Sequence, residues 1–208
     1  MMHPITRREL WIAELTLILA AFLQLTISKH LQLGPKYLVA GLLILLVFAT
    51  AFTAPRRHLG KGTPHITFAI LLIGVITLAN AAELILLINA LVHNTDIPGK
   101  SLLSGALAVF LTNVIVFGLL YWELDSPGLS GRRKRSTDDF QFPQEQGSPQ
   151  WKPAFFDYLY LSITNSTAFS PTDTMPLTHT AKALMSAQSL IALITVVLVT
   201  ARAVNILG

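Results

Sequence analysis

The residue best placed to do chemistry is Glu83, a carboxylate inside an otherwise apolar stretch, residues 66–92. Asn80 precedes it by three positions, so on a helix the two share a face one turn apart. An ionised carboxylate surrounded by hydrocarbon is costly, which makes Glu83 a candidate for carrying a proton or meeting a cation. Asn113 lies in the next apolar stretch and reaches the same region if the two stretches pack as a hairpin. Gln188 and Thr195 stand seven apart in the last stretch and share a face there. Such amides and hydroxyls also simply tie helices together across lipid, at about 0.6–2 kcal/mol per hydrogen bond. A neutral Glu83 bonded to Asn80 or Asn113 is the corresponding structural reading of the carboxyl.

Long apolar helices are needed to hold these groups, and the composition supplies them. Of 208 residues, 52% are hydrophobic and only 12% charged, where a soluble domain carries about 25% charged. A bilayer core about 30 Å thick takes about 20 apolar residues per helix. The chain therefore reads as an all-α integral membrane protein with about five transmembrane helices and a short re-entrant helix before the last. Its expected place is the cell membrane, as a multi-pass protein of the bacterial inner-membrane kind, with lipids as its surroundings. There is no cysteine, so thiol catalysis and disulfides are excluded. The six histidines show no metal-ligand spacing on a helix, so no metal site is expected. No nucleophile–base pair, HExxH or Gly-rich phosphate loop is present, so neither an enzyme nor a cofactor is expected. The net charge of +4 is spread over several short connections. That distribution reads as topology signals and not as a nucleic-acid surface.

Along the chain, residues 1–100 form an N-terminal membrane region with three spans, at about 10–28, 37–54 and 66–92. Gly34-Pro35, Pro55-Arg56-Arg57 and Thr63-Pro64 punctuate them, and Asp96-Ile97-Pro98-Gly99 makes the next tight turn. The first span reads as uncleaved, because its apolar run is too long for a signal core. Residues 101–208 form a second region. It comprises a helix at 101–122, a loop at 123–153 rich in Gly, Pro, Ser and charge, a short helix at 155–167, a polar loop at 168–176, and a last helix at 178–207. Tyr121 and Trp122 read as an interfacial aromatic belt. Phe140-Gln141-Phe142-Pro143 reads as a short extended piece, and Arg202 as a side chain snorkelling to the interface.

From Phe156 the chain runs Asp157-Tyr158-Leu159-Tyr160-Leu161-Ser162-Ile163-Thr164-Asn165-Ser166-Thr167, then Ala168-Phe169-Ser170-Pro171-Thr172, then Asp173-Thr174-Met175-Pro176-Leu177-Thr178-His179-Thr180-Ala181-Lys182. This resembles the pore module of bacterial potassium channels. Asp157, Leu159, Tyr160, Ser162, Thr164, Thr167, Asp173, Pro176, Thr178 and Ala181 fall in step with the family's pore helix, filter exit and inner-helix start. The resemblance covers about fifty residues, or about eighty if 101–122 is the outer helix. It implies a re-entrant, pore-like loop lined by Thr164, Thr167, Ser170, Thr172 and Asp173, and a homotetramer, since four copies enclose an axis. The Gly-Tyr-Gly filter is absent. Filter carbonyls replace the ion's water only where the backbone accepts positive φ, and the ring of Pro171 fixes φ near −65°. The segment is also similar to that of uncharacterised bacterial multi-span membrane proteins with this ending and no Gly-Tyr-Gly.

The expected function is thus a channel-like protein passing monovalent cations with weak selectivity. The competing readings are a small proton-coupled secondary transporter built around Glu83, and a non-conducting membrane scaffold. Orientation is contested. Arg7-Arg8, Arg56-Arg57-Lys61 and Arg132-Arg133-Lys134-Arg135 put the N-terminus and the 123–153 loop in the cytoplasm. The potassium-channel resemblance puts that loop outside, and the two readings agree only if the pore is inverted, as in glutamate-receptor channels, or if one span is miscounted.

Overall fold

A computed structural model describes residues 7–27, 31–32, 34–35, 37–53, 64–93, 98–125, 139–148, 151–167 and 173–207. The order of elements is α1 (Arg7–Leu25), α2 (Leu38–Thr53), α3 (Pro64–Val92), α4 (Gly99–Asp125), β1 (Phe140–Gln141), α5 (Pro143–Gly147), α6 (Phe155–Thr167), β2 (Met175–Pro176) and α7 (His179–Leu207). Each long helix coincides with an apolar run read from the sequence, because uninterrupted Leu, Ile, Val and Ala satisfy both helix propensity and burial. Among the described residues, three helices are long and apolar enough to cross a membrane: Leu71–Val92, Gly99–Asp125 and His179–Arg202. Trp11–Leu25 and Leu38–Ala49 are shorter apolar helices. The extended piece expected near Phe140 is β1, which pairs antiparallel with β2 through Phe140↔Pro176 and Gln141↔Met175.

The helix ends are made by local chemistry. Past the end of α1, the Gln32 amide donates to the carbonyls of Gln24 and Ile27, each at 3.1 Å. That meets acceptors which a helix terminus otherwise leaves unpaired. Gly34 follows at φ +72°, a conformation that glycine adopts without a Cβ clash. At the start of α6 the Asp157 carboxylate accepts the Ala154 N–H at 2.7 Å, the return half of a capping box. At the start of α7 the Thr178 hydroxyl oxygen accepts the Ala181 N–H at 3.2 Å.

α4 is the central helix, packed against α1, α3, α6 and α7. Residues 112–119 are buried without a break, as expected of a helix that is apolar all round. An aromatic layer covers its C-terminal end. Tyr121 meets Phe140 edge-on at 5.2 Å, Trp122 meets Phe155 at 5.1 Å, and Phe142 lies between Trp151 and Tyr158. Tyr121 and Trp122 are therefore inside the protein and not an interfacial belt, because β1 and α6 fold over them.

The outer surface is the inverse of that of a water-soluble protein. Trp11, Leu15, Ile18, Phe22 and Leu25 form one exposed stripe along α1. Leu71, Val75, Leu78, Ile85 and Val92 do the same on α3, and Leu190, Ile194 and Val197 on α7. The side chains of Gln24, Asn80, Glu83, Thr112, Asn113 and Gln188 point inward. Apolar outside with polar inside is compatible with a protein solvated by lipid.

Candidate functional site

Among the described residues, two separate polar clusters occupy the interior. The first joins α4, α6 and α7. The buried face of α6 carries Phe155, Tyr158, Leu161, Ser162, Asn165 and Ser166. This spacing lays one side of the helix against its neighbours. α6 runs antiparallel to α4: Tyr158 reaches Asp125, while Ser162, one turn further on, donates to the Val114 carbonyl at 2.6 Å. Gly118 permits this approach. A Cβ there lies 3.2 Å from the Leu159 Cα and 3.5 Å from the Ser162 Cβ.

Gln188 of α7 completes the joint, and both halves of its amide are used. The nitrogen donates toward the Ser162 carbonyl (3.1 Å), the Ser162 hydroxyl (2.6 Å) and the Ser166 hydroxyl (2.8 Å). The oxygen accepts from the Tyr121 hydroxyl (2.5 Å) and the Asn165 amide (2.8 Å). Asn165 also donates to the Met185 carbonyl at 3.0 Å. Gln188 thus takes the interhelical role open to it from the sequence. Thr195 is buried as well, but its hydroxyl donates to Ile191 of its own helix at 2.7 Å.

At the outer end of this joint two buried aspartates tie the pieces together. Asp125 accepts from the backbone N–H of Asp139 (2.5 Å), the N–H of Phe140 (3.1 Å) and the Tyr158 hydroxyl (2.6 Å). The Asp139 carboxylate accepts from the Thr178 hydroxyl, and its carbonyl accepts the Leu177 N–H at 2.8 Å. The segment from Tyr158 to Thr178 therefore leaves and returns at one place, the C-terminal end of α4. Neither aspartate was singled out in the sequence. They stand in a charged loop region, where nothing local marks a carboxylate for burial.

Of the residues expected to line a pore, Thr164 and Thr167 turn their hydroxyls onto carbonyls of α6 itself. Asp173 is exposed. Ser170 and Thr172 lie outside the described residues, as do Arg132, Arg133, Lys134 and Arg135.

The second cluster lies between α1, α3 and α4. Glu83 is 1% exposed and accepts the Gln24 amide at 2.9 Å. The same Gln24 nitrogen stands 3.4 Å from the Thr112 hydroxyl. Asn80 donates to the Val109 carbonyl at 3.2 Å. α3 and α4 do pack as a hairpin, as Asn113 required, and Asn113 is buried beside Thr112. The hydrogen-bond partner that Glu83 takes from the α1 side is Gln24, which sequence reasoning overlooked. Its signal was available, since Gln24 is an amide inside an apolar run, as Asn113 is. Asn80, Asn113 and Gln188 do not meet at one site: Gln188 belongs to the first cluster and the other two to the second. Compared with known proteins, the chain matches no family model, no curated protein and no solved structure.

Proposed function

We propose that the chain is a multi-pass cell-membrane protein with five crossings, α1 to α4 and α7, and that α6 with the segment following it is a re-entrant hairpin of channel-like form. In this reading it assembles as a homotetramer and passes monovalent cations with weak selectivity. The observation that carries it is the path of 155–178. A helix descends antiparallel to α4, and the chain returns to the same pair, Asp125 and Asp139, before α7 starts. Backbone of that kind is tolerated at membrane depth where it is packed in protein or lines water. α6 has its polar face packed on α4 and α7, while Phe156, Tyr160 and Ile163 are exposed on the other side, free to meet further copies. α1 and α2 are short for a crossing, about 24–28 Å as helices, a length that a locally thinned bilayer accommodates.

A ring of four Asp173 carboxylates at the mouth favours cations by an effect that weakens with salt. Without filter glycines the ions pass partly hydrated, so potassium and sodium fluxes differ by less than about tenfold, roughly 1.4 kcal/mol. Liposomes with matched gradients test this together with the mass of the purified oligomer. A tetramer with such fluxes, and reduced cation preference in Asp173→Asn, is the expected result. Strong potassium selectivity refutes the weak-selectivity reading. A folded protein passing no ion leaves the scaffold.

A further inference from the structure

A shallow furrow runs between α3, α4 and α7. Leu87 and Leu91 of α3, Leu103 and Ala106 of α4, and Leu198 and Val199 of α7 line it. Among the described residues, Arg202 is the one charged member of its wall. The furrow is an open track in the surface and not a closed cavity. It is also graded along its length. Leu91 is next to last in α3, Leu103 sits in the second turn of α4, and Arg202 ends the apolar stretch His179–Arg202 of α7. These three mark the end of the track at the rim of the bundle. Leu87 and Ala106 each lie one turn deeper. Lys100 is exposed at the rim end, one turn before Leu103 on the same face of α4.

Arg202 follows Val199 and Leu198 by three and four positions and shares their face. Side chains on a helix lean toward its N-terminus, so the stem of Arg202 lies back over the track. Its Nε is buried and has no hydrogen-bond partner among the described residues. Nor does Arg202 belong to the last turn of α7, where free carbonyls could accept from it. A buried donor on a cation, left unmet, is costly. We infer that the track holds one phospholipid with a net negative headgroup. Its phosphate sits on the Arg202 guanidinium, with Lys100 at the same end, and one acyl chain runs inward toward Leu87 and Ala106. The inference rests on the membrane part of the proposed function and is independent of the pore. Charge and shape choose the occupant. Phosphate oxygens match the fork of a guanidinium. An acyl chain needs an apolar path leading away from that charge, which is the order of residues here. A zwitterionic lipid brings its own ammonium group to the rim, where Arg202 and Lys100 already stand, so an anionic headgroup is favoured.

The test is native mass spectrometry of the purified full-length protein, titrated with dioleoylphosphatidylglycerol or dioleoylphosphatidylcholine. The expected result is one phosphatidylglycerol retained per chain, preferred at least about fivefold over phosphatidylcholine, the effect of one nearby cation on an anionic headgroup. Arg202→Gln removes the preference, and Lys100→Gln lowers it in part. Val199→Trp fills the track and reduces retention of both lipids. Lys182→Gln, which removes an exposed cation in the first turn of α7, leaves the preference unchanged. Equal retention of the two lipids by the wild type overturns the inference, and so does a preference that survives Arg202→Gln. Retention of inorganic phosphate in place of lipid makes the ligand a soluble anion and overturns it too. Should Arg202→Gln fail to fold, the wild-type comparison, or full retention in Val199→Trp, is decisive against it. Release of the protein from membranes by alkaline carbonate overturns the membrane reading itself, a failure distinct from equal retention of the two lipids.

Discussion

Replacing Gln188 by Leu keeps the bulk of the side chain and deletes the whole of its amide. The structure says what is lost: donation to Ser162 and Ser166, and acceptance from Tyr121 and Asn165. Hydrogen bonds between membrane helices average about 0.6 kcal/mol, so four of them put the loss near 2.5 kcal/mol. Some of it is recovered, because Ser162 still donates to Val114 and Asn165 still donates to Met185. Some is added, because the Tyr121 hydroxyl, fully buried, loses a close acceptor, a penalty of about 1–3 kcal/mol. A net loss of about 2–4 kcal/mol corresponds to a Tm lower by about 5–15 °C for a chain of this length. Thermal melts in nanodiscs measure it, and a double-mutant cycle with Tyr121→Phe isolates the cause. Tyr121→Phe alone destabilises, but in the Gln188→Leu background it is close to neutral, since the acceptor has gone. Additive effects, or a Gln188→Leu protein as stable as the wild type, refute the assignment of Gln188 as the joint between α6 and α7.

Gly118→Leu puts side-chain atoms where Leu159 backbone stands 3.2 Å from the Cβ position, so α6 is pushed off α4. The expected cost is about 1–3 kcal/mol or more, seen as a lower Tm, with Gly118→Ala falling between it and the wild type. Asp125→Ala strands the N–H groups of Asp139 and Phe140 and the Tyr158 hydroxyl, for a loss of about 2–4 kcal/mol. Limited proteolysis should show the 139–148 segment cut faster in that variant. Burial raises the Asp157 carboxyl above the ordinary aspartate range, with the Ala154 N–H opposing and the nearby Glu9 charge reinforcing the shift. The fold therefore favours the protonated acid. Its contribution is full below the unfolded aspartate value and is lost as pH rises through the raised value. Melts across the mildly acidic range should show that fall in the wild type and a flatter profile in Asp157→Asn.

The helices were legible because each is an apolar run bounded by Pro, Gly or charge, and the inward polar residues were legible as interruptions of those runs. Glu83, Asn80, Asn113 and Gln188 were all found in this way. What was not legible is non-local. Asp125 and Asp139 stand fourteen positions apart, and their pairing with Tyr158 and Thr178 exists only once α6 has folded back on α4. Tyr121 was misread for a related reason: an aromatic residue near a helix end is ambiguous until it is known whether another element covers it. Gln24 needed its partner on α3 to become meaningful. Which residues share a helix face follows from spacing, but which helix meets that face does not.

Among the described residues, the side-chain hydrogen bonds that α7 makes to other elements end at Ser189. Thr178 holds Asp139 just ahead of it, and Gln188 and Ser189 hold α6. Beyond Ser189 the side-chain hydroxyls of Thr195 and Thr200 return to their own backbone, and packing against the neighbouring helices is by Ile191, Leu198 and Val199. Apolar contacts have no preferred direction, so this half resists sliding and rolling far less than the clamped half does. It contains no Gly or Pro at which to break, and hydroxyls bonded back one turn favour a gentle bend. α7 is in this respect a lever with a fixed root and a compliant arm. If α7 crosses a membrane as proposed, bending is expected first between Ile191 and Thr200, ahead of the hydrogen-bonded joint at Gln188.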